Sequence, residues 1–196
     1  MISVIAIAGE PATGKSTLMK SLMLQLKDIP MADRWEDVPC LVFKKDKVCI
    51  LGVYDGGVFG GTDRLSMTII EKAEKTLFNH AHDAAWGSWS IWLEGDRLSN
   101  NRFFNYVIDQ KIPHKFFMLI AAHDMLKVRH SARDNQNAGW VKGRRTKYLN
   151  LAEVPAFDFE QLPSNTITDM LTNVDAIMKA CNILREKTLI AEMGYV

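Results

Sequence analysis

The sequence predicts an α/β fold, with a doubly wound, mainly parallel sheet and helices on both faces of that sheet. Short apolar runs alternate along the chain with longer segments of helical periodicity. The most hydrophobic run, Phe116–Ala122, carries no polar side chain, as a strand covered by helices on both sides requires. No internal repeat or long linker interrupts this alternation over the 196 residues. We therefore expect one domain spanning residues 1–196.

Each segment of this fold follows from its own pattern. Ser3–Ala8 is a short apolar run that predicts a buried strand, and Lys15–Lys27 places leucines on one face of a predicted helix. Val38–Lys44 and Lys47–Tyr54 are strand-like runs joined by a tight polar connection, which indicates a hairpin. The remaining patterns predict, in chain order, a glycine-rich loop at Gly56–Gly61, a helix over about residues 65–80, a strand at Ser88–Leu93, a helix capped at Ser99 or Asn100, a central strand at Lys115–Ala122, a helical stretch from Asp124 and a last helix from about Ser164.

The composition excludes several classes of protein. With 47% hydrophobic and 24% charged residues, the chain is not disordered, collagen-like or a coiled coil. Its longest uninterrupted apolar run, seven residues, is far shorter than a membrane-spanning helix, and its N-terminus lacks the basic region of a signal peptide. The three cysteines lack the spacing of a metal site, which indicates reduced thiols. We expect a cytoplasmic protein with no membrane partner.

One motif carries specific chemistry. Gly9–Ser16, with the sequence GEPATGKS, matches the phosphate-binding loop G-x-x-x-x-G-K-[ST] and lies between a predicted strand and a predicted helix. The glycines let the backbone wrap around a polyphosphate, and the helix directs its positive dipole end at the same phosphates. Lys15 can then reach the β and γ oxygens, and Ser16 can ligate Mg²⁺. The residues expected to bind a nucleotide triphosphate are Gly9, Glu10, Pro11, Ala12, Thr13, Gly14, Lys15, Ser16 and Thr17.

Acidic residues follow two of the predicted strands. Asp55 ends the run over residues 49–55, and Glu94 and Asp96 follow the strand that begins at Ser88. Ligands of open α/β sheets gather at the carboxyl ends of the strands, so these acids are expected to face the phosphate site. One could hold Mg²⁺, and another could accept a proton from an attacking hydroxyl. The assignment of these two roles stays open, as does the simpler interpretation that the acids only cap strands or begin turns.

These features resemble the P-loop kinases of the nucleotide and polynucleotide kinase group. In that group an Asp at the end of an early strand commonly acts on the acceptor hydroxyl, and Asp55 occupies such a position. A strand ending in an acid–Gly or acid–Arg sequence is also common there, and Leu93–Arg97 is similar. The resemblance implies a P-loop NTPase-type fold with an arginine-rich lid, ATP and Mg²⁺ as cofactors, Asp55 as general base or acceptor anchor, and Glu94 or Asp96 at the metal.

The candidate lid is a lid-like insertion over about residues 123–150. Within it, Lys127–Lys147 contains seven Lys and Arg residues against one acid, in a chain whose net charge is only +1. A mobile arginine arm can neutralise the charge that phosphoryl transfer spreads over the equatorial oxygens. Gly139 and Gly143 are the expected hinge positions, and a solvated basic surface is the alternative interpretation. The arginines expected to act in catalysis are Arg129, Arg133 and Arg144.

A second glycine-containing stretch, Gly60–Ser66, lies between Asp55 and a predicted helix. Its glycines would permit close approach of the backbone to an acceptor, but its polar residues could equally cap the helix. The sequence supports these two interpretations equally. The residues expected to bind the acceptor are Asp55, Thr62, Asp63, Arg64 and Arg97.

The expected activity is transfer of the γ-phosphoryl group of ATP to a hydroxyl acceptor. The chain also resembles the phage-encoded P-loop kinases that phosphorylate 5-hydroxymethyluracil in DNA. A hydroxymethyl pyrimidine base in DNA is the favoured acceptor, with modified DNA as partner and, for a viral chain, the host cytoplasm as location. The alternatives are a kinase of free nucleosides or nucleotides, an ATPase that hydrolyses without transfer, and a nucleotide-binding module of a larger complex.

Overall fold

A seven-stranded sheet forms the centre of the computed structural model, which describes residues 2–55, 60–81, 83–132 and 137–192. The strands are β1 (Ser3–Gly9), β2 (Met31–Trp35), β3 (Val38–Phe43), β4 (Val48–Leu51), β5 (Ser90–Glu94), β6 (His114–Ile120) and β7 (Glu160–Pro163). Their order in the sheet is β2-β3-β4-β5-β1-β6-β7. The five strands from β4 to β7 in this order are parallel, whereas β2 and β3 add an antiparallel edge.

Six helices connect or cover the strands. They are α1 (Lys15–Met23), α2 (Ile69–Ala81), α3 (Asn101–Asp109), α4 (His123–Ser131), α5 (Ala138–Ala152) and α6 (Ile167–Glu192). The sequence signals that begin two of them are visible as caps: the Asn100 side chain accepts a hydrogen bond from the backbone N–H of Phe103 at 3.0 Å, and that of Asn137 accepts from Gly139 at 2.8 Å. Among the described residues, none of these helices is both long and apolar enough to cross a membrane.

Alternate residues of β1 enter two separate hydrophobic cores, one on each face of the sheet. Val4 and Ala6 pack with residues of α2 and α3, and Ile5 and Ile7 pack with residues of α1 and α6. All four side chains are fully buried. The predicted doubly wound α/β architecture is therefore confirmed, with helices on both faces of a mainly parallel sheet.

The structure corrects the predicted elements at several places. The first helix ends at Met23 rather than Lys27, and the predicted strand Lys47–Tyr54 is regular only over Val48–Leu51. The edge strands β2 and β7 were not predicted. β2 is almost entirely exposed and β7 includes a proline, so neither carries the apolar pattern of a buried strand. Residues 56–59 of the predicted glycine-rich loop lie outside the described residues.

The topology brings the candidate residues to one edge of the sheet. β1 lies between β5 and β6, and all three strands run in the same direction. The loop after β1 therefore lies beside the carboxyl end of β5, where Ile7 and Glu94 are register partners. This edge is where ligands of open α/β sheets bind.

Candidate active site

The loop that follows β1 has the conformation its glycines permit. Gly9 has a φ of +146°, and a Cβ added there would lie 2.9 Å from the carbonyl oxygen of Leu119, so a larger residue would displace the neighbouring strand. Gly14 has a φ of +90° and precedes the first turn of α1. The Lys15 ammonium group donates hydrogen bonds to the carbonyl oxygens of Gly9 at 2.7 Å and Glu10 at 2.9 Å. The Lys15 side chain therefore lies across the phosphate-binding loop, as the motif predicts.

Glu94 is the acid that the structure brings to this loop. It is fully buried at the end of β5, and the Ser16 hydroxyl donates a hydrogen bond to its Oε1 at 3.1 Å. Its second oxygen, Oε2, has no hydrogen-bond partner among the described residues. A buried carboxylate oxygen left in this state is unusual, because buried polar atoms are nearly always paired. Glu94 is thus available for a further ligand beside the phosphate-binding loop.

The surroundings of Glu94 oppose its ionisation. Burial raises the pKa of Glu94 to about 7, and the charge of Asp63 acts in the same direction. The Lys15 and Lys20 cations and the Ser16 hydrogen bond lower that pKa and partly offset the burial. A cation bound at Oε2 would favour the ionised form further.

The stretch after residue 60 packs directly on Glu94. Gly61 has φ +72° and ψ −149°, and a Cβ added there would lie 2.1 Å from Oε1 of Glu94. The buried Thr62 hydroxyl donates to the backbone oxygen of Glu94 at 2.9 Å. The sequence predicted that the glycines of this stretch let the backbone approach an acceptor, whereas in the structure Gly61 lets it approach Glu94. This stretch therefore packs on the end of β5 and stabilises it, independently of any acceptor.

The other predicted acceptor residues also take part in contacts within this edge. Asp63 accepts a hydrogen bond from the backbone N–H of Asp96, and Arg64 pairs with Asp55. Arg97 donates through Nε to the backbone oxygen of Leu65 at 3.2 Å. Asp55 and Arg64 remain substantially exposed, with 53% and 39% of their side-chain surfaces accessible. The pair is therefore open to a molecule that approaches the end of β4.

Asp96 contacts helix α5, which differs from its expected role at the metal. Its Oδ2 lies 2.6 Å from Arg144, and its Oδ1 accepts from Lys147 at 2.7 Å and from the Tyr148 hydroxyl at 3.1 Å. Burial lowers the pKa of Lys147, an effect that the Asp96 hydrogen bond opposes. With both oxygens engaged by side chains of α5, Asp96 fixes this helix over the end of β5. The Lys15 ammonium lies 5.5 Å from the centre of the Tyr148 ring, so α5 lies close to the phosphate-binding loop.

The predicted lid is largely helical. Gly139 and Gly143 lie inside α5, so in this structure they are not hinges between a loop and its neighbours. Arg144 is paired with Asp96, and Arg133 lies outside the described residues. Arg129 extends from α4 to the phosphate-binding loop, where it donates to the backbone oxygens of Ala12 at 3.3 Å and Ser164 at 2.8 Å.

A cavity of about 410 Å³ opens beside the phosphate-binding loop, between α1, α4 and the beginning of α6. Its walls include Gly14, Thr17, Arg129, Asn165 and Asn173. Its size is typical of small-molecule sites. Sequence reasoning missed this cavity because its walls come from segments about 150 positions apart, and no local motif marks them.

Comparison with known proteins agrees with this geometry. The sequence profile of the family described as P-loop Nucleotide Kinase3 matches residues 2–161. The chain belongs to this family. This P-loop nucleotide kinase is accordingly an ATP-dependent kinase, which confirms the predicted class of enzyme.

Solved structures of other proteins superpose on this P-loop nucleotide kinase at low sequence identity, and the first of them shares its fold. A gluconokinase from Sinorhizobium meliloti 1021 superposes with a TM-score of 0.53 at 11% identity, covering 96% of this chain and 97% of the other. A tunicamycin resistance protein from Deinococcus radiodurans gives 0.47 at 17% identity, covering 90% and 94%. A shikimate kinase from Bacteroides thetaiotaomicron gives 0.40 at 12%, covering 90% and 97%. No curated protein sequence matches the chain.

The residues beside the loop of this kinase fit a magnesium ion. Ser16 supplies a hydroxyl and Glu94 a carboxylate oxygen without a partner, and oxygen ligands of this kind suit Mg²⁺. The described residues contain no cluster of three or more His, Cys, Asp or Glu side chains that would hold a metal by themselves. Mg²⁺ is commonly bound by one or two protein ligands together with substrate phosphates.

Proposed function

We propose that this kinase transfers the γ-phosphoryl group of ATP to a hydroxyl group of a small acceptor of the nucleoside or nucleotide class. The observation that carries the proposal is Glu94, which is buried, accepts a hydrogen bond from the Ser16 hydroxyl of the phosphate-binding loop, and has a second oxygen without a partner in the described part of the chain. This arrangement suits a metal–triphosphate complex at the carboxyl ends of β1 and β5.

In this proposal the phosphates lie in the loop over Gly9–Thr17. Lys15 exchanges its hydrogen bonds with the loop carbonyls for the β and γ oxygens, and the backbone N–H groups at the start of α1 face the same anion. The base occupies the cavity on the outer side of the loop. Arg129 lines that cavity and donates a hydrogen bond to the Ala12 carbonyl of the loop, which keeps its cation beside the phosphates.

Ser16 and Glu94 would hold Mg²⁺, which when bound neutralises charge on the triphosphate and polarises the γ-phosphoryl group. The kinase's own residues have the remaining tasks. Asp55 accepts the proton of the attacking hydroxyl or anchors the acceptor, with Arg64 holding its carboxylate. Arg129 and Arg144 stabilise negative charge on the transferring group, and Arg133 is assigned the same role on its sequence position alone.

The position of α5 beside the phosphate-binding loop favours a small acceptor over a polymer. The cations Arg144 and Lys147, which would otherwise contribute to a basic track, are paired with Asp96 beside the loop. Tyr148 lies close to Lys15 and limits the space above the phosphates. Thr62, Asp63 and Arg97 line the same edge, and we assign them to the acceptor side.

A modified base in DNA is the second candidate acceptor. The observation that favours it is the exposed surface of α5, which carries Lys142 and Arg145 and, on another face of the helix, the 43% exposed Trp140. Exposed cations and an exposed aromatic ring on one helix suit a nucleic-acid strand. Lys142 and Arg145 give a weaker positive surface than the seven basic residues of the sequence suggested.

The experiment presents ATP labelled in its γ-phosphoryl group with nucleosides, nucleotides and DNA containing 5-hydroxymethyluracil, over a series of salt concentrations. We expect label in a free nucleoside or nucleotide, with a KM that depends weakly on salt. A DNA acceptor would show a steep salt dependence that Lys142→Glu flattens by roughly one unit of log–log slope. Label found only in inorganic phosphate would contradict transfer and indicate an ATPase.

A pair of variants tests the role of Asp55 as general base. Asp55→Asn should bind ATP normally and lose transfer by a factor on the order of 10² to 10⁴, the usual contribution of a general base. Asp124→Asn is the matched control, because Asp124 is also exposed beside a cation, Lys127, but lies on α4. If Asp55→Asn and Asp124→Asn transfer label at the same rate, Asp55 has no part in the mechanism.

A further inference from the structure

The cavity between α1, α4 and α6 has a buried polar atom in its wall. This atom has no hydrogen-bond partner among the described residues. Asn173, on α6, lines the cavity and is only 1% exposed. Its Oδ1 has no hydrogen-bond partner among the described residues, in contrast to its Nδ2, which donates to the carbonyl oxygen of Pro163 at 2.7 Å. A buried acceptor in this state destabilises the folded protein unless another molecule donates to it.

The orientation of this amide is determined by its neighbour. The Pro163 oxygen can only accept a hydrogen bond, so the amide nitrogen of Asn173 must face β7. Exchanging the oxygen and the nitrogen would set two acceptors 2.7 Å apart. The Asn173 atom that remains available to a ligand is therefore Oδ1, which accepts a hydrogen bond and cannot donate one.

We infer that Asn173 selects the base of the nucleotide, with Oδ1 accepting a hydrogen bond from the exocyclic amine of adenine. Guanine carries an oxygen at the equivalent ring position, which would set acceptor against acceptor. The apolar side chains of Leu18 and Met170 line the same cavity and give the faces of the base a surface to pack on. This inference rests on the proposed function, because it requires the base of ATP to occupy this cavity.

The test is a double-mutant cycle between the amide and the amine, read as dissociation constants from titration calorimetry with Mg²⁺ present. The ligands are ATP and purine riboside triphosphate, which lacks the amine. The variant is Asn173→Leu, whose side chain has the same number of heavy atoms but no acceptor. The wild type should bind ATP about tenfold more tightly than the purine analogue, the usual effect of one buried hydrogen bond. In Asn173→Leu the two affinities should be nearly equal.

A further variant keeps the test decisive. Asn173→Ala replaces the leucine variant in the cycle if the latter does not fold. A preference for ATP over the purine analogue that survives the loss of the amide would overturn the inference, as would equal binding of the two ligands by the wild type.

A loop variant separates failure of the inference from failure of the proposed function. Lys15→Ala should weaken binding of ATP and of the purine analogue by the same factor, because it removes a phosphate contact common to both. If Lys15→Ala changes neither affinity, the phosphates do not bind in the loop and the proposed function itself is contradicted. If both affinities fall while the cycle shows no coupling, only the assignment of Asn173 is wrong.

Discussion

A single methyl group at Gly61 should displace the carboxylate on which the proposed metal site depends. In the wild type, Gly61 has φ +72° and ψ −149°, a region that residues with a side chain rarely occupy. In Gly61→Ala the new Cβ would lie 2.1 Å from Oε1 and 2.7 Å from Cδ of Glu94. Atoms cannot approach so closely, so either the loop or the carboxylate must move.

Both the backbone strain and the collision contribute to the expected magnitude. The conformation alone costs an alanine about 1–3 kcal/mol, so we expect the free energy of unfolding to fall by at least about 2 kcal/mol. Moving the carboxylate breaks its contact with Ser16 and should raise the Mg²⁺ requirement or lower turnover by roughly 10- to 100-fold, as loss of a residue supporting a metal ligand does.

The adjacent glycine provides a matched control. A Cβ added at Gly60 would meet the Tyr54 ring at 3.5 Å, an ordinary van der Waals contact. Gly60→Ala should therefore be nearly neutral in urea unfolding and in a Mg²⁺ titration of phosphoryl transfer. If Gly61→Ala matches Gly60→Ala in both measurements, the close packing of Gly61 on Glu94 has no consequence and the reasoning is refuted.

Three further predictions concern charge and helix geometry. The folded-state pKa of Glu94, about 7, lies above its ordinary value of 4.5, so in Mg²⁺-free buffer the stability of the wild type relative to Glu94→Gln should fall by up to about 3 kcal/mol as the pH rises from 4.5 through 7. Urea unfolding at pH 5 and 7.5 measures this, and a difference independent of pH would contradict it. Gly143→Ala should stabilise the protein by about 1 kcal/mol with unchanged turnover, because nothing lies within 4 Å of the new methyl group in α5; slower turnover would restore Gly143 as a hinge. Asp96→Ala should lower the unfolding free energy by about 2 kcal/mol by leaving Arg144 and Lys147 without their carboxylate, while the Mg²⁺ concentration for half-maximal transfer stays constant. A shift in the Mg²⁺ concentration for half-maximal transfer would indicate that Asp96 is a metal ligand.

The central strands were predictable because their sequence patterns reflect burial on both faces. β1 is apolar from Val4 to Ala8 and β6 from Phe116 to Ile120, and the loop between β1 and α1 carries a complete motif. The edge strand β2 was not predictable, since four of its five residues are exposed and its pairing with β3 depends on a neighbour rather than on its own pattern. Local sequence identifies strands that the core requires and misses those that only extend the sheet.

The candidate site shows the same division between local and long-range information. Lys15 and Ser16 follow from a contiguous motif, and Glu94 follows from the rule that acids at strand ends face the ligand. That rule could not separate Glu94 from Asp96, because the separation depends on which oxygens α5 engages. The contribution of Asn173 depends on a carbonyl ten positions away and on a cavity formed by distant segments. No spacing in the sequence encodes such contacts.

The central claim is that the loop around Lys15, together with Glu94, forms the phosphoryl-transfer site. The most direct measurement is the rate at which label passes from γ-labelled ATP to the acceptor in the wild type, in Lys15→Ala and in Lys75→Ala, whose lysine is exposed on α2. We predict that Lys15→Ala lowers this rate by about 10² to 10³, the effect of removing one preorganised charge from a transition state, and that Lys75→Ala retains most of it. A folded Lys15→Ala protein that transfers label as fast as Lys75→Ala would contradict the claim.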